Sequence, residues 1–161
     1  MAIVDEAILN TTGIHLKDAF VVIIRTEWNA HVIDLLEQGA IKVLEEHAVR
    51  FKIINVPGAF EIPFTIRQYQ NIAGKTPDAY IALACIIRGD TPHFDYVSKA
   101  VTDGVLQLTL SLPVPIIFGV LTVDNQVQAN ERTGGRHGHK GEEAAYTAIK
   151  MISISNSFKE L

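Results

Sequence analysis

Apolar residues along this chain follow two alternating rhythms. Phe20-Val21-Val22-Ile23-Ile24 is a short, continuous and largely β-branched run, as expected for a strand buried on both faces. From Asn29 to His47 the apolar positions Ile33, Leu36, Ala40, Val43 and Leu44 recur at three- and four-residue steps, which predicts an amphipathic helix. Phe51 to Val56 predicts a second strand, ended by Pro57-Gly58. Glu61 to Ala73 predicts a helix, with Pro63 tolerated in its first turn. Asp78 to Ile87 reads as a third strand, His93 to Leu112 as a long helix and Pro115 to Val123 as a fourth strand. Two more helices are predicted near Asn125–Thr133 and Gly141–Phe158.

The order βαβαβαβ followed by helices calls for an α/β fold: a mostly parallel sheet, helices on both faces and right-handed crossovers. Ligands of such open sheets bind beyond the carboxyl ends of the strands. In this chain those ends carry Trp28, Pro57 to Glu61, Arg88 to His93, and the residues from Val123 onward. Residues 1–18 show no clear period and read as an N-terminal arm that docks on a neighbouring subunit. Residues 19–161 read as a single α/β domain, without repeats, linkers or low-complexity tracts.

Bulk properties narrow the function. With 161 residues and 48% hydrophobic content the chain can bury a core. Its formal net charge of −4 lacks the basic footprint of a nucleic-acid binder. No apolar run approaches the roughly 20 residues that span a bilayer. Met1 to Asp18 lacks a basic stretch followed by an apolar one, so it does not read as a signal peptide. The single cysteine, Cys85, cannot form an intrachain disulfide or a cysteine-rich zinc site. The expectation is a soluble, cytoplasmic protein that binds neither nucleic acid nor membrane.

Candidate chemistry sits at the strand ends. Arg88-Gly89-Asp90-Thr91-Pro92-His93 joins the third strand to its helix. Thr91 is a suitable N-cap, Pro92 suits the first helical position, and the free N–H groups there can hold an anion. His93, in that first turn, can accept and return a proton. Read alone, the stretch is equally an ordinary capped helix with a surface histidine. Glu61 can hydrogen-bond a polyhydroxylated ligand, or simply favour a helix start. Trp28 can stack on a flat ring, or serve as a core or cap residue. The basic, glycine-rich run Arg132 to Gly141 offers Arg132 as a bidentate phosphate grip and Lys140 as a mobile charge. It is not a P-loop, because no glycine directly precedes Lys140 and Gly141 stands where Ser or Thr is needed. His137 and His139 lack a third metal ligand, and the whole run also fits a solvated loop.

Taken together, these segments resemble the lumazine synthases. The resemblance rests on Val56-Pro57-Gly58-Ala59-Phe60-Glu61-Ile62-Pro63 and Ile87-Arg88-Gly89-Asp90-Thr91-Pro92-His93-Phe94-Asp95-Tyr96. It continues in Phe118-Gly119-Val120-Leu121-Thr122, in Gln128-Ala129 with Arg132, and in Gly138-His139-Lys140-Gly141-Glu142-Glu143-Ala144-Ala145. The matches run in family order over roughly residues 20–155. Each is weak alone; the ordered set is specific.

The resemblance implies a flavodoxin-like, three-layer αβα sandwich with a four-stranded parallel sheet. It implies a transferase of riboflavin biosynthesis that condenses 5-amino-6-(D-ribitylamino)uracil with 3,4-dihydroxy-2-butanone 4-phosphate. The product is 6,7-dimethyl-8-ribityllumazine, with release of phosphate and water, and neither metal nor organic cofactor is expected. By position, His93 is the proton-transfer residue, and Asp90 (through its backbone), Thr91 and Arg132 hold the phosphate. Trp28 stacks on the pyrimidine; Ala59, Phe60 and Glu61 contact the ribityl-bearing substrate; Cys85, Ile86 and Ile87 line the same pocket. Phe118, Arg132 and Lys140 come from the adjacent subunit of a homopentamer. The length of the loop from Arg132 to Lys140 permits stacking of pentamers into a sixty-subunit icosahedral shell, and equally free pentamers or decamers.

Several departures matter. Asp90 puts a carboxylate beside the phosphate, so its side chain must turn away, and Pro92 removes one donor at the helix start. Two more bear on the other ligand contacts. Trp28 stands where phenylalanine is frequent, enlarging the stacking face for flavin-like ligands. His139 replaces the asparagine common before the lysine, which bears on the placement of Lys140. Two rival readings remain at this point: a lumazine- or flavin-binding protein without turnover, and a generic flavodoxin-like signalling domain. The second calls for an acidic cluster or phosphate loop after the first strand, and Arg25-Thr26-Glu27-Trp28-Asn29 is neither.

Overall fold

Each apolar run becomes a strand of one sheet. The structure, a computed structural model, describes residues 6–160. β1 (Phe20–Thr26), β2 (Arg50–Val56), β3 (Ala79–Ile87) and β4 (Ile116–Val123) are all parallel and lie in the order β2-β1-β3-β4. The two central strands are nearly continuous in burial, whereas β2, at an edge, exposes Arg50, Lys52 and Asn55. That contrast is why the apolar run of β3 is unbroken and that of β2 alternates.

Helices cover both faces, giving the three-layer, flavodoxin-like sandwich. On one face α2 (Ala30–Glu46) and α6 (Lys140–Ser157) pack Ile33, Leu36, Val43, Ala148 and Ile149 against Ile23, Ile81 and Leu83. On the other, α3 (Ile62–Ile72) and α4 (His93–Ser111) pack Ile62, Ile66, Val101 and Val105 against Val22, Ile24, Tyr80 and Ala82. Period-two alternation along β1 thus feeds two separate cores from one strand. Each fully buried Ile or Leu there contributes about 1.5–3 kcal/mol.

Several boundaries differ from the sequence reading. β1 runs two residues past Ile24, to Thr26. The helix expected from Glu61 opens with a 3₁₀ turn, Ala59–Glu61, before α3 begins; Pro63 does sit in its first turn. Between α5 (Gln126–Glu131) and α6, the glycine-rich run folds into a hairpin of β5 (Thr133–Gly135) and β6 (Gly138–His139). Gly134 and Gly138 take positive φ (105° and 80°), conformations that glycine adopts at little cost.

The described part of the N-terminal segment, from Glu6, is ordered along its own chain. It contains a one-turn helix, α1 (Glu6–Leu9), that contacts α6. Thr11 Oγ1 lies 2.8 Å from His47 Nε2, and Ile14 and Leu16 pack against the α2–α6 core. Residues 1–5 of the expected arm lie outside the described residues. No helix among the described residues is long and apolar enough to cross a membrane.

Candidate active site

The chain steps from β1 outward to β2, then returns across β1 to β3. The strand order therefore reverses between β1 and β3, the place where an open parallel sheet forms a crevice. A cleft of about 540 Å³ lies there, lined by segments that follow β1, β2 and β3. It gathers nine of the residues singled out from the sequence: Trp28 after β1; Ala59, Phe60 and Glu61 after β2; and Cys85, Ile86, Ile87, Thr91 and His93 along and after β3.

One wall is aromatic. Trp28 is 73% exposed and Phe60 65% exposed, so neither ring belongs to the core, and each presents aromatic surface to a planar ligand. Gly58 sits between Trp28 and Glu61. A Cβ there would meet the Glu61 carboxylate at 3.1 Å and the indole Cδ1 at 3.4 Å. Glycine keeps this part of the cleft open.

Asn29, which the sequence reading used only as a helix boundary, proves to hold the wall in place. It is the N-cap of α2 but adopts left-handed dihedrals (φ 59°, ψ 42°) and makes no side-chain cap bond. Its Nδ2 instead donates to the Cys85 carbonyl at 2.8 Å. β1 pairs with β3 only as far as Arg25 opposite Leu83, so the amide of Asn29 occupies the place a further β1 residue would fill. Below it, Arg25 donates to Glu37 (2.8 Å) and Asp34 (2.7 Å), tying α2 to β1. Burial works against the Arg25 charge, but these two carboxylates outweigh it and hold the guanidinium protonated.

The other wall is the end of β3. Burial pushes the Cys85 thiol up to about 11, so at neutral pH it is a neutral lining group rather than a nucleophile. Arg88 leaves the strand without lining the cleft, its guanidinium engaged by two carboxylates. It donates to Asp124 (3.0 Å) and Asp95 (3.3 Å), and its guanidinium carbon lies 4.0 Å from the Phe94 ring centre. The following helix start differs by one residue from expectation. Pro92 is the N-cap, with φ −63° and ψ −2°, and His93 is the first helical residue. Thr91 Oγ1 accepts from the His93 N–H only at 3.4 Å, because the turn enters the helix one residue later than a Thr91 cap requires. The Thr91 hydroxyl is therefore open to the cleft.

Four expected residues do not line this cleft. Asp90 is exposed beside it. Phe118 and Lys140 line a separate hollow of about 360 Å³ with Ile8 and Glu143. Arg132 is held at the hairpin, its Nη1 donating to the His137 carbonyl at 3.2 Å. The hairpin nonetheless unites the two cations, since the Lys140 N–H donates to the Arg132 carbonyl at 2.8 Å. Lys140 Nζ stands 3.6 Å from Glu143 Oε2, while Glu143 Oε1 is buried without a hydrogen-bond partner among the described residues. Among the described residues no three His, Cys, Asp or Glu side chains converge as a metal site.

A family model described as 6,7-dimethyl-8-ribityllumazine synthase matches residues 18–156. The chain belongs to this lumazine synthase family. A relative in Parabacteroides distasonis, named 6,7-dimethyl-8-ribityllumazine synthase, is 46% identical over 136 residues, covering 83% of this chain and 84% of that protein. The synthase so named in Porphyromonas gingivalis is 45% identical, covering 86% of each chain. That of Bdellovibrio bacteriovorus is 46% identical, covering 83% of this chain and 73% of its own. The family membership read from the ordered motifs is thereby borne out, and the lumazine synthase fold accounts for the crevice between β1 and β3.

Proposed function

We propose that this chain is a 6,7-dimethyl-8-ribityllumazine synthase. It joins 5-amino-6-(D-ribitylamino)uracil to 3,4-dihydroxy-2-butanone 4-phosphate in riboflavin biosynthesis, as a cytoplasmic enzyme. The observation that carries the reading is the convergence, in one cleft, of an aromatic wall, an acid and a proton-transfer group: Trp28 and Phe60, Glu61, and His93 beside the open hydroxyl of Thr91.

In this reading the pyrimidine stacks on Trp28 and the ribityl-bearing substrate lies along Ala59, Phe60 and Glu61, with Cys85, Ile86 and Ile87 as floor. The amine of that substrate attacks the ketone carbonyl. His93 moves protons as water leaves and the imine forms, the phosphate is eliminated, and the ring closes. Holding two substrates in register supplies much of the rate, and proton transfer supplies the rest.

The phosphate is gripped by Thr91, the Asp90 backbone and Arg132. Arg132, Lys140 and Phe118 lie outside the cleft of their own chain, which supports a site completed by the adjacent subunit of a homopentamer. On that account activity requires assembly. Exposed Phe64, Tyr96, Leu106 and Leu110 on α3 and α4 supply apolar surface for such contacts.

The test is an absorbance assay for lumazine formation with both substrates, paired with light scattering. Turnover by a pentamer or a multiple of it is expected. Ligand binding without turnover would instead indicate a binding protein, and an active monomer would remove the shared-site reading.

A further inference from the structure

The cations Arg132 and Lys140 are placed by a feature that lies outside the cleft. Gly39 is buried in the interior of α2, where glycine is a poor helix former. A Cβ at Gly39 would stand 2.6 Å from Nδ1 and 2.8 Å from Nε2 of His139, with Cε1 nearer still. Any residue larger than glycine expels that ring. His139 in turn is the N-cap of α6, its Nδ1 accepting from the Glu142 N–H at 3.4 Å. Two residues on, a Cβ at Gly141 would collide with the Leu36 carbonyl group of α2, whose carbon would lie 2.7 Å away. Lys140 is therefore clamped on both sides, by an imidazole seated on Gly39 and by backbone pressed on Leu36. Its N–H carries the constraint to Arg132 through their 2.8 Å bond, and Thr133 pairs with His139 across the hairpin.

We infer that His139, seated on Gly39, is a positioning residue that, through the backbone of Lys140, fixes Arg132 for the phosphorylated substrate. The inference rests on the reading above that Arg132 grips the phosphate of that substrate. Sequence inspection alone places His139 and Gly39 a hundred positions apart, with nothing to connect them. The contact exists only because α2 and α6 cross closely enough for a ring to fill the space a missing side chain leaves.

The experiment has a stability arm and a kinetic arm on the assembled protein. In the His139→Ala background, Gly39→Ala restores helix propensity and should raise Tm by roughly 2–4 °C. In the parent background the same change must expel the ring and should leave Tm unchanged or lower. Equal effects in both backgrounds would refute the seat. Kinetically, His139→Ala should raise KM for 3,4-dihydroxy-2-butanone 4-phosphate on the order of tenfold, with a much smaller change in kcat and in KM for the pyrimidine. His139→Asn, which keeps a capping oxygen, should recover most of that loss. A purely structural role predicts fewer active molecules at unchanged KM, and that outcome overturns the inference. Arg132→Ala run alongside separates the two levels. If it raises KM for the phosphorylated ketone and His139→Ala does not, the positioning role fails. If Arg132→Ala leaves KM unchanged, the phosphate reading fails and the positioning role fails with it.

Discussion

Replacing Asn29 separates two physical terms that the structure combines in one residue. Its left-handed backbone is tolerated by glycine and, among other residues, chiefly by Asn and Asp. Its side-chain amide satisfies the Cys85 carbonyl at 2.8 Å, in a residue only 4% exposed. Asn29→Gly keeps the backbone and removes only the hydrogen bond. Leaving a buried carbonyl without its partner costs about 1–2 kcal/mol. Asn29→Ala loses the same bond and adds the left-handed penalty of about 1–2 kcal/mol, for a total near 3 kcal/mol. Asn29→Asp keeps the backbone preference but turns a carboxylate towards the carbonyl, so it should be less stable than Asn29→Gly. For a chain of this size each kcal/mol moves Tm by about 2–4 °C, giving falls of about 2–8 °C for glycine and 6–12 °C for alanine. Thermal unfolding at one fixed protein concentration reads this order, since assembly itself shifts Tm. Alanine as stable as the parent, or glycine less stable than alanine, would refute the argument.

The cleft supports three further predictions. His93→Ala should lower turnover by about 10²–10⁴-fold with the fold retained if His93 carries full acid–base catalysis; circular dichroism checks the fold and steady-state kinetics the rate. Trp28→Phe keeps stacking but shrinks the exposed ring, so affinity for lumazine and riboflavin, measured by fluorescence titration, should weaken, and unchanged affinity would reject a role for the larger indole. Cys85, raised by burial from 9.0 to about 11, should resist alkylation in the native protein at neutral pH and react readily once unfolded. Because the folded thiol holds its proton more firmly than the unfolded one, its contribution to stability is complete below pH 9 and lost as pH rises towards about 11. A Cys85→Ser variant with the same alkaline fall in stability would remove that assignment.

The elements and the outline of the cleft were legible in the sequence because their determinants are local. A run such as Val21 to Ile24 announces a doubly buried strand by composition alone. The spacing of Ile33, Leu36, Ala40 and Val43 announces the face of α2, and the residues after each strand are by topology those at the mouth of the crevice. The ordered motifs then identified the family without any three-dimensional information.

What only the tertiary structure decided depends on how elements approach one another across long stretches of chain. Sequence placed Asn29 at a helix boundary, but its bond to Cys85 follows from where β1 stops pairing with β3. It placed Thr91 as the helix cap, whereas the path of the turn moved that role to Pro92 and opened the hydroxyl to the cleft. It placed Arg132, Lys140 and Phe118 in family order, yet the fold keeps all three out of their own chain's cleft. Gly39 and His139 gave no sign of belonging together, since their fit is a property of two helices crossing at close range. Periodicity is written in neighbouring residues, but contacts between residues a hundred apart are set by packing, and packing is a property of the whole fold.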